Sequence, residues 1–314
     1  MDNPYSLPLF SFAITILSLI ASLIVIVIHL SVREIRSHFF FRIAFHISFS
    51  DLLFSLSSLY IYSPLNLTLC TALGVTRELT WLASIAWTTI LPYTINKSLQ
   101  ESLTDEELDQ HKPRYIFFAY IVPVICSVIP AVALKNTYGH SDMYCWISSD
   151  HKSEFLAKSL LLYLPVAVSA ILTIIWCFRM RRWVKFLLRR SVSQSFIKLL
   201  YYPLIMLLCN SGAVAHGLQK EFGDSRGFLW LTSVFLIGRQ AQGLLNGLVY
   251  VLNNQVRRAV RRKFVRRINR ERSNSDGQYD VPFIYQMSAS FEDQIVVNTE
   301  ECYKYFNTKK TMVE

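Results

Sequence analysis

Hydrophobic residues run along this chain in seven long blocks separated by polar stretches: Leu7 to Leu30, Ile43 to Tyr62, Leu69 to Ile95, Tyr115 to Leu134, Phe155 to Phe178, Phe196 to Leu218 and Gly227 to Leu252. Each block has about the 20 residues that a helix needs to cross the hydrocarbon of a bilayer. The pattern predicts an all-α fold, a seven-transmembrane helix bundle over residues 1–252, with the two termini on opposite sides of the membrane. The first block is read as helix one and not as a cleaved leader, because no basic region precedes it and no small-residue cleavage pattern follows.

The polar stretches divide by charge. Ser31 to Arg42, Asn96 to Arg114, Arg179 to Lys198 and the chain from Asn253 onward hold 25 of the 32 lysines and arginines. The stretches between them hold only Lys135, Lys152, Lys220 and Arg226. Basic loops stay on the cytoplasmic side, so the expectation is a multi-pass plasma-membrane protein with its amino terminus outside and its carboxyl terminus inside.

After the last block, Val256, Ala259, Val260, Phe264 and Ile268 recur at helical spacing among arginines that include Arg257, Arg258 and Arg261. This predicts an amphipathic basic helix over 253–270 lying on anionic inner-leaflet lipid. Residues 271–314 lose the periodicity and read as a mostly disordered cytoplasmic tail. Its candidate phosphorylation sites Ser273, Ser275, Ser288 and Ser290 would make a kinase or an arrestin-like protein its partner. The third inner loop, with Arg181, Arg182 and Lys185, is a candidate surface for a cytoplasmic protein or for lipid. In the second, Thr104 opens a short acidic helix containing Asp105, Glu106, Glu107 and Asp109.

Composition narrows the function classes. The chain is 52% hydrophobic over 314 residues, which leaves little beyond the spans and loops. A net charge of +10 suggests nucleic acid only until its position is considered, because most of it lies against the membrane. No zinc spacing or phosphate loop appears, and His29, His38 and His46 form no ligand set with acidic residues. The expectation is therefore no enzyme, no cofactor and no metal.

Charged residues inside the blocks are the candidates for chemistry, since a charge in hydrocarbon must face the bundle interior, a partner or water. Arg77, Trp81, Ser84 and Thr88 share one helical stripe by their spacing. Glu78 adjoins it. Arg239 falls near mid-membrane, with Gln242 and Asn246 following on its face, and Lys158 lies near the outer rim of the fifth block. Arg77, Glu78, Trp81, Lys158, Arg239 and Gln242 are candidates for an outward-open site for a small polar or anionic ligand. The alternative is that Arg239 pairs with Asp51 or Glu78 and holds helices together, while Lys158 snorkels to the headgroups.

Asp51 requires donors from other helices, Asn246 among them, and serves either a switch network or helix register. Pro203, in the sixth block, is the candidate for a moving bend. Cys70 and Cys145 both fall on the outer side, where a bridge would tie the second outer loop over the bundle, the alternative being two free thiols. Cys126, Cys177 and Cys209 read as packing residues.

Several motifs occur together: Ser50-Asp51-Leu52-Leu53, Cys70 with Trp87, Cys145-Trp146-Ile147, Tyr202-Pro203-Leu204-Ile205, and Gln242-Gly243-Leu244-Leu245-Asn246-Gly247-Leu248-Val249-Tyr250. In their order and placement the chain resembles the cyclic-AMP-receptor-like family of seven-helix G-protein-coupled receptors of slime moulds and fungi, over Leu9 to about Arg270. The resemblance implies an outer ligand, cyclic AMP or another metabolite, and a heterotrimeric G protein inside. It also implies a Cys70–Cys145 bridge and an inner switch containing Asn246 and Tyr250. The chain departs from rhodopsin-like receptors at the base of its third block, where Thr94-Ile95-Asn96-Lys97 stands in place of Asp-Arg-Tyr. The competing expectation is a transporter or channel with a polar pathway near Asp51 and Arg239.

Overall fold

The computed structural model describes residues 6–59, 66–101, 103–133, 138–141, 144–147, 157–188, 198–222 and 229–275. The order is α1 (Ser6–Ser31), α2 (Arg33–Ser37), α3 (Phe39–Ser58), α4 (Leu67–Glu101), α5 (Asp105–Gln110), α6 (Lys112–Ile116), α7 (Val122–Ala133), β1 (Tyr138–Ser141), β2 (Tyr144–Ile147), α8 (Leu164–Leu188), α9 (Tyr201–Phe222), α10 (Leu229–Val251) and α11 (Asn254–Ser275). The fold is all-α apart from the β1–β2 hairpin, whose antiparallel register pairs Tyr138 with Ile147 and Gly139 with Trp146.

Burial in α1 is inverted relative to a protein in water. Ser11, Thr15, Ser18, Ser22 and His29 face inward, while Leu9, Leu17, Ile20, Leu23, Ile24, Val27 and Leu30 are exposed. Lipid is as apolar as leucine, so small and polar residues go to the helix contacts and the large aliphatic ones face outward. Gly243 and Gly247 on α10 permit the close approach. A Cβ at Gly243 would lie 2.4 Å from the Ser18 hydroxyl, and one at Gly247 would lie 2.9 Å from the Ala21 Cβ.

Four helical stretches among the described residues are long and apolar enough to cross a membrane: Leu9–Ser31, Phe39–Ser58, Lys112–Ile129 and Ser159–Met180. Together with the inverted burial they describe a multi-spanning helical membrane protein. The sequence pattern predicts seven spans. The helices over the remaining three predicted spans, α4, α9 and α10, are not among the four, and the polar residues they carry lower their hydropathy. They bury Arg77, Glu78, Asn210, Arg239, Gln240, Gln242 and Asn246.

Two prolines shape their helices in the same way. Single wider turns at Phe117–Ile121 and Ser159–Tyr163 stand just ahead of Pro123 and Pro165, with Val122 N–H reaching Phe117 O and Leu164 N–H reaching Ser159 O. The pyrrolidine ring crowds the carbonyl four residues back, and widening the turn by one residue relieves the crowding. Pro203 is the third residue of α9, and the helical path is interrupted just before it, at Leu200, with residues 198–199 helical on the other side. Proline has no N–H to bond the carbonyl of Leu199 four residues back, which accounts for an interruption at this point.

Candidate functional site

Cys70 and Cys145 form a disulfide with Cα atoms 5.1 Å apart, joining the first turn of α4 to β2. Asn66 starts α4 locally by accepting from the Leu69 N–H at 2.9 Å, a side-chain cap. With β2 tethered there, the hairpin lies flat on α4. Gly74 makes this possible, since a Cβ there would be 3.1 Å from the Tyr138 ring and 3.5 Å from the Trp146 backbone. The Thr71 hydroxyl donates to Tyr138 O at 3.2 Å.

Under the hairpin, α3, α4, β2 and α10 each supply a part of one site. Arg239 of α10 lies over the face of Trp81 at 4.3 Å from the ring centroid, 5.1 Å from that of Trp146 and 5.5 Å from that of Phe54. Arg77 approaches Phe54 at 5.1 Å. Both arginines are 2% exposed, and Glu78 between them is fully buried. The Trp146 indole donates to Glu78 Oε2 at 2.6 Å. Two guanidinium groups and one carboxyl group thus share a buried site faced with aromatic rings.

A chain of hydrogen bonds leads from this site across the bundle. Trp81 Nε1 donates to Asn210 Oδ1 at 2.9 Å, and Asn210 Nδ2 donates to Gln242 Oε1 at 3.1 Å. Gln242 Nε2 donates to the Ser84 hydroxyl at 3.0 Å, which donates to Asp51 Oδ1 at 2.7 Å. Asn246 Nδ2 donates to the other oxygen, Asp51 Oδ2, at 2.7 Å. Four helices are thus tied through side chains that are all nine-tenths or more buried.

Of the six candidate ligand-site residues, Arg77, Glu78, Trp81, Arg239 and Gln242 are brought together. Lys158, at the entry of the fifth helical stretch, is 6% exposed, and its neighbours Ala157 and Leu161 pack in the same apolar cluster as Trp81 and Trp146. Asp51 is held by Ser84 and Asn246 instead of by Arg239. Tyr250, one turn beyond Asn246, packs edge-on against Phe41 with ring centroids 5.9 Å apart. Sequence reasoning did not single out Asn210 or Phe54 for the site. Asn210 carried the only available signal, as a lone amide in an apolar block.

At the opposite end of the bundle, the acidic segment folds as its sequence predicts. Thr104 and Glu107 make a reciprocal capping box, with the Thr104 N–H donating to Glu107 Oε2 at 2.7 Å. These bonds hold Glu107 below the usual carboxylate range. Asp105 then reaches α3: its Oδ1 accepts from Phe39 N at 3.3 Å and its Oδ2 meets His38 Nδ1 at 3.1 Å. Arg42 donates to Asp109 at 2.7 Å. Burial pushes Asp105 upward, but the His38 bond and charge, the Phe39 N–H and Arg42 outweigh it and hold the group below its ordinary value. Arg181, Arg182 and Lys185 occupy positions on α8, with side chains outside the described residues, and the tail from 276 lies outside them altogether.

No protein-family profile matches the chain. A curated plant protein does. Over 264 residues the chain is 26% identical to a protein of Arabidopsis thaliana named G-protein coupled receptor 1, an alignment covering 78% of this chain and 77% of the plant protein. The chain is therefore a multi-spanning helical membrane protein with a disulfide bond and a distant likeness to a protein named as a receptor.

Proposed function

We propose that this protein is a seven-helix receptor of the plasma membrane, its amino terminus outside, which senses a small polar or anionic ligand and activates a heterotrimeric G protein. The observation that carries the reading is the stacking of Arg239 on Trp81 and Trp146 beneath a disulfide-tethered hairpin. A cation faced by aromatic rings in a site of low dielectric is suited to an anionic ligand with a flat or apolar body, such as cyclic AMP or another phosphorylated or carboxylated metabolite. The name of the plant relative supports the reading from a separate direction.

Signal transfer then uses the hydrogen-bond chain. A ligand that displaces Trp81 or Arg239 perturbs Asn210 and Gln242, and through them Asp51 and Asn246, so the relative setting of α3, α4, α9 and α10 depends on occupancy. The G protein meets the basic inner ends, Arg181, Arg182 and Lys185 on α8 together with α11. A kinase or arrestin-like protein acts on the tail. Nucleic acid is not a partner, and no covalent chemistry is assigned to the protein.

A second reading, a transporter or channel, is favoured by the same row of buried polar side chains, which by itself needs no ligand or intracellular partner to account for it. Taken without the relative's name, the geometry fits this reading more directly. The two separate cleanly. A receptor accelerates nucleotide exchange on purified G protein when a metabolite is added, and proteoliposomes containing it stay sealed. A transporter or channel carries a polar solute or ion into the same proteoliposomes with no G protein present.

A further inference from the structure

At the end of the bundle opposite the hairpin, the short helices α5 and α6 meet at His111. Its backbone N–H bonds to Leu108 O at 3.1 Å and closes α5, and its carbonyl accepts from Arg114 N at 3.1 Å and Tyr115 N at 3.3 Å to open α6. Leu108, fully buried in one apolar cluster with Phe39 and Tyr115, seats the two helices on the bundle.

The His111 side chain adds a contact that admits only one protonation state. Lys97 Nζ, near the end of α4, lies 2.7 Å from His111 Nε2. An ammonium group has donors only, so Nε2 is the acceptor and the imidazole is neutral, with its proton on Nδ1. A second proton on the ring would set two cations at hydrogen-bond distance. The other groups around the ring do not offset that repulsion. The Tyr115 ring stands edge-on to the imidazole with centroids 6.4 Å apart, Lys112 and Arg114 are cationic, and Asp109 is engaged by Arg42 of α3 at 2.7 Å. Glu101 of α4 lies 4.0 Å from Lys97 and offers the ammonium an alternative partner.

A second histidine holds the other side of α5 and has the opposite requirement. His38 Nδ1 lies 3.1 Å from Asp105 Oδ2, and a proton on His38 turns that hydrogen bond into an ion pair. Asp105 keeps its bond to Phe39 N in either case. Acid therefore tightens α5 on α3 and cancels the tie between His111 and α4. Histidine is the side chain that changes charge in the physiological range.

We propose that the α5–α6 junction is a proton-operated joint: uptake of a proton by His111 frees the junction from Lys97, which turns to Glu101, while His38 keeps α5 on α3. In the topology proposed above the joint faces the cytosol, so the surface presented to a partner there changes when the cell interior acidifies. The joint needs no occupant in the site under the hairpin and works equally in a receptor and in a transporter.

Hydrogen–deuterium exchange of the full chain in lipid nanodiscs tests this, at about pH 8 and about pH 5.5, with rates corrected for the chemical pH dependence of amide exchange. The Arg114 and Tyr115 amides, bonded to His111 O, are the reporters. Peptides covering 111–116 are expected to lose protection several-fold at the lower pH, while the first turn of α3 keeps its protection. In His111→Gln the side-chain carbonyl accepts from Lys97 at either pH, and protection is expected to stay constant. Lys97→Met removes the donor and the repulsion together, so protection should be low at both values. Equal protection at the two pH values in the unaltered chain overturns the proposal. So does an undiminished fall in His111→Gln or Lys97→Met, which would assign the effect to another titrating group. His38→Gln should raise exchange at the start of α3 at the lower pH, and unchanged exchange there contradicts the holding role of His38.

Discussion

Trp146 donates its indole N–H to the carboxylate of Glu78 at 2.6 Å, joining a β-hairpin to a helix 68 positions earlier in the chain. Both groups are buried, so the bond fixes where the hairpin sits over Arg239. Trp146→Phe retains most of the ring but leaves a buried carboxylate oxygen without its donor, which costs about 1–3 kcal/mol. A melting temperature several degrees lower in the purified protein is expected. Adding Glu78→Gln should recover part of the loss, because the remaining group is then neutral.

The Cys70–Cys145 bridge closes a loop with a sequence separation of 75. Loops of that order gain about 2–4 kcal/mol from cross-linking through the unfolded chain. Reduction, or the double substitution Cys70→Ser with Cys145→Ser, should lower the melting temperature and release the hairpin to limited proteolysis. Unchanged proteolysis would mean that hairpin packing alone holds it.

Gly243 sits where a Cβ would lie 2.4 Å from the Ser18 hydroxyl and 3.1 Å from Asp51 Cβ. Gly243→Ala therefore pushes α1 and α3 away from α10, and overpacking of this kind costs about 1–3 kcal/mol. Thermal unfolding in detergent measures the loss directly. The same substitution should also weaken the Asn246–Asp51 bond, one turn away.

Asp105 caps α3 from the first turn of α5, and its contacts with His38, Phe39 N–H and Arg42 hold its carboxyl below the ordinary value. A group depressed on folding contributes stability above its unfolded pKa, about 3.9. That contribution is lost as pH falls through the lower folded value. Amide exchange at the start of α3 should thus rise in acid below the ordinary carboxylate range. In Asp105→Asn, exchange there should already be raised at neutral pH and should respond less to acid.

Much of this architecture is legible in the chain because lipid imposes length and apolarity on a helix. The four strongly apolar helical stretches, the capping box at Thr104 and the helix after Asn253 all follow local rules. Asp51 and Asn246 were readable as partners because a buried carboxylate requires donors. Other features depend on which faces meet. The sequence gives no rotation for α11, so Val256, which is buried, and Phe264, which is exposed, look alike until the pairing of Arg262 with Glu34 and of Lys263 with Ser31 O fixes the helix against the bundle. The stacking of Arg239 on Trp146 joins residues far apart in sequence, and no local signal registers it.

In the proposed receptor the site around Arg239 receives a ligand, and a G protein responds to its occupancy. The most direct test is guanine-nucleotide exchange on purified heterotrimeric G protein by the reconstituted full chain, screened against small anionic metabolites including cyclic nucleotides, with Arg239→Ala in parallel. At least one metabolite is expected to accelerate exchange, and Arg239→Ala, correctly folded by its melting curve, is expected to lose the response at least ten-fold in potency, about 1.4 kcal/mol. An active metabolite with equal potency on Arg239→Ala, or no acceleration by any metabolite together with solute flux into sealed proteoliposomes, would contradict this reading.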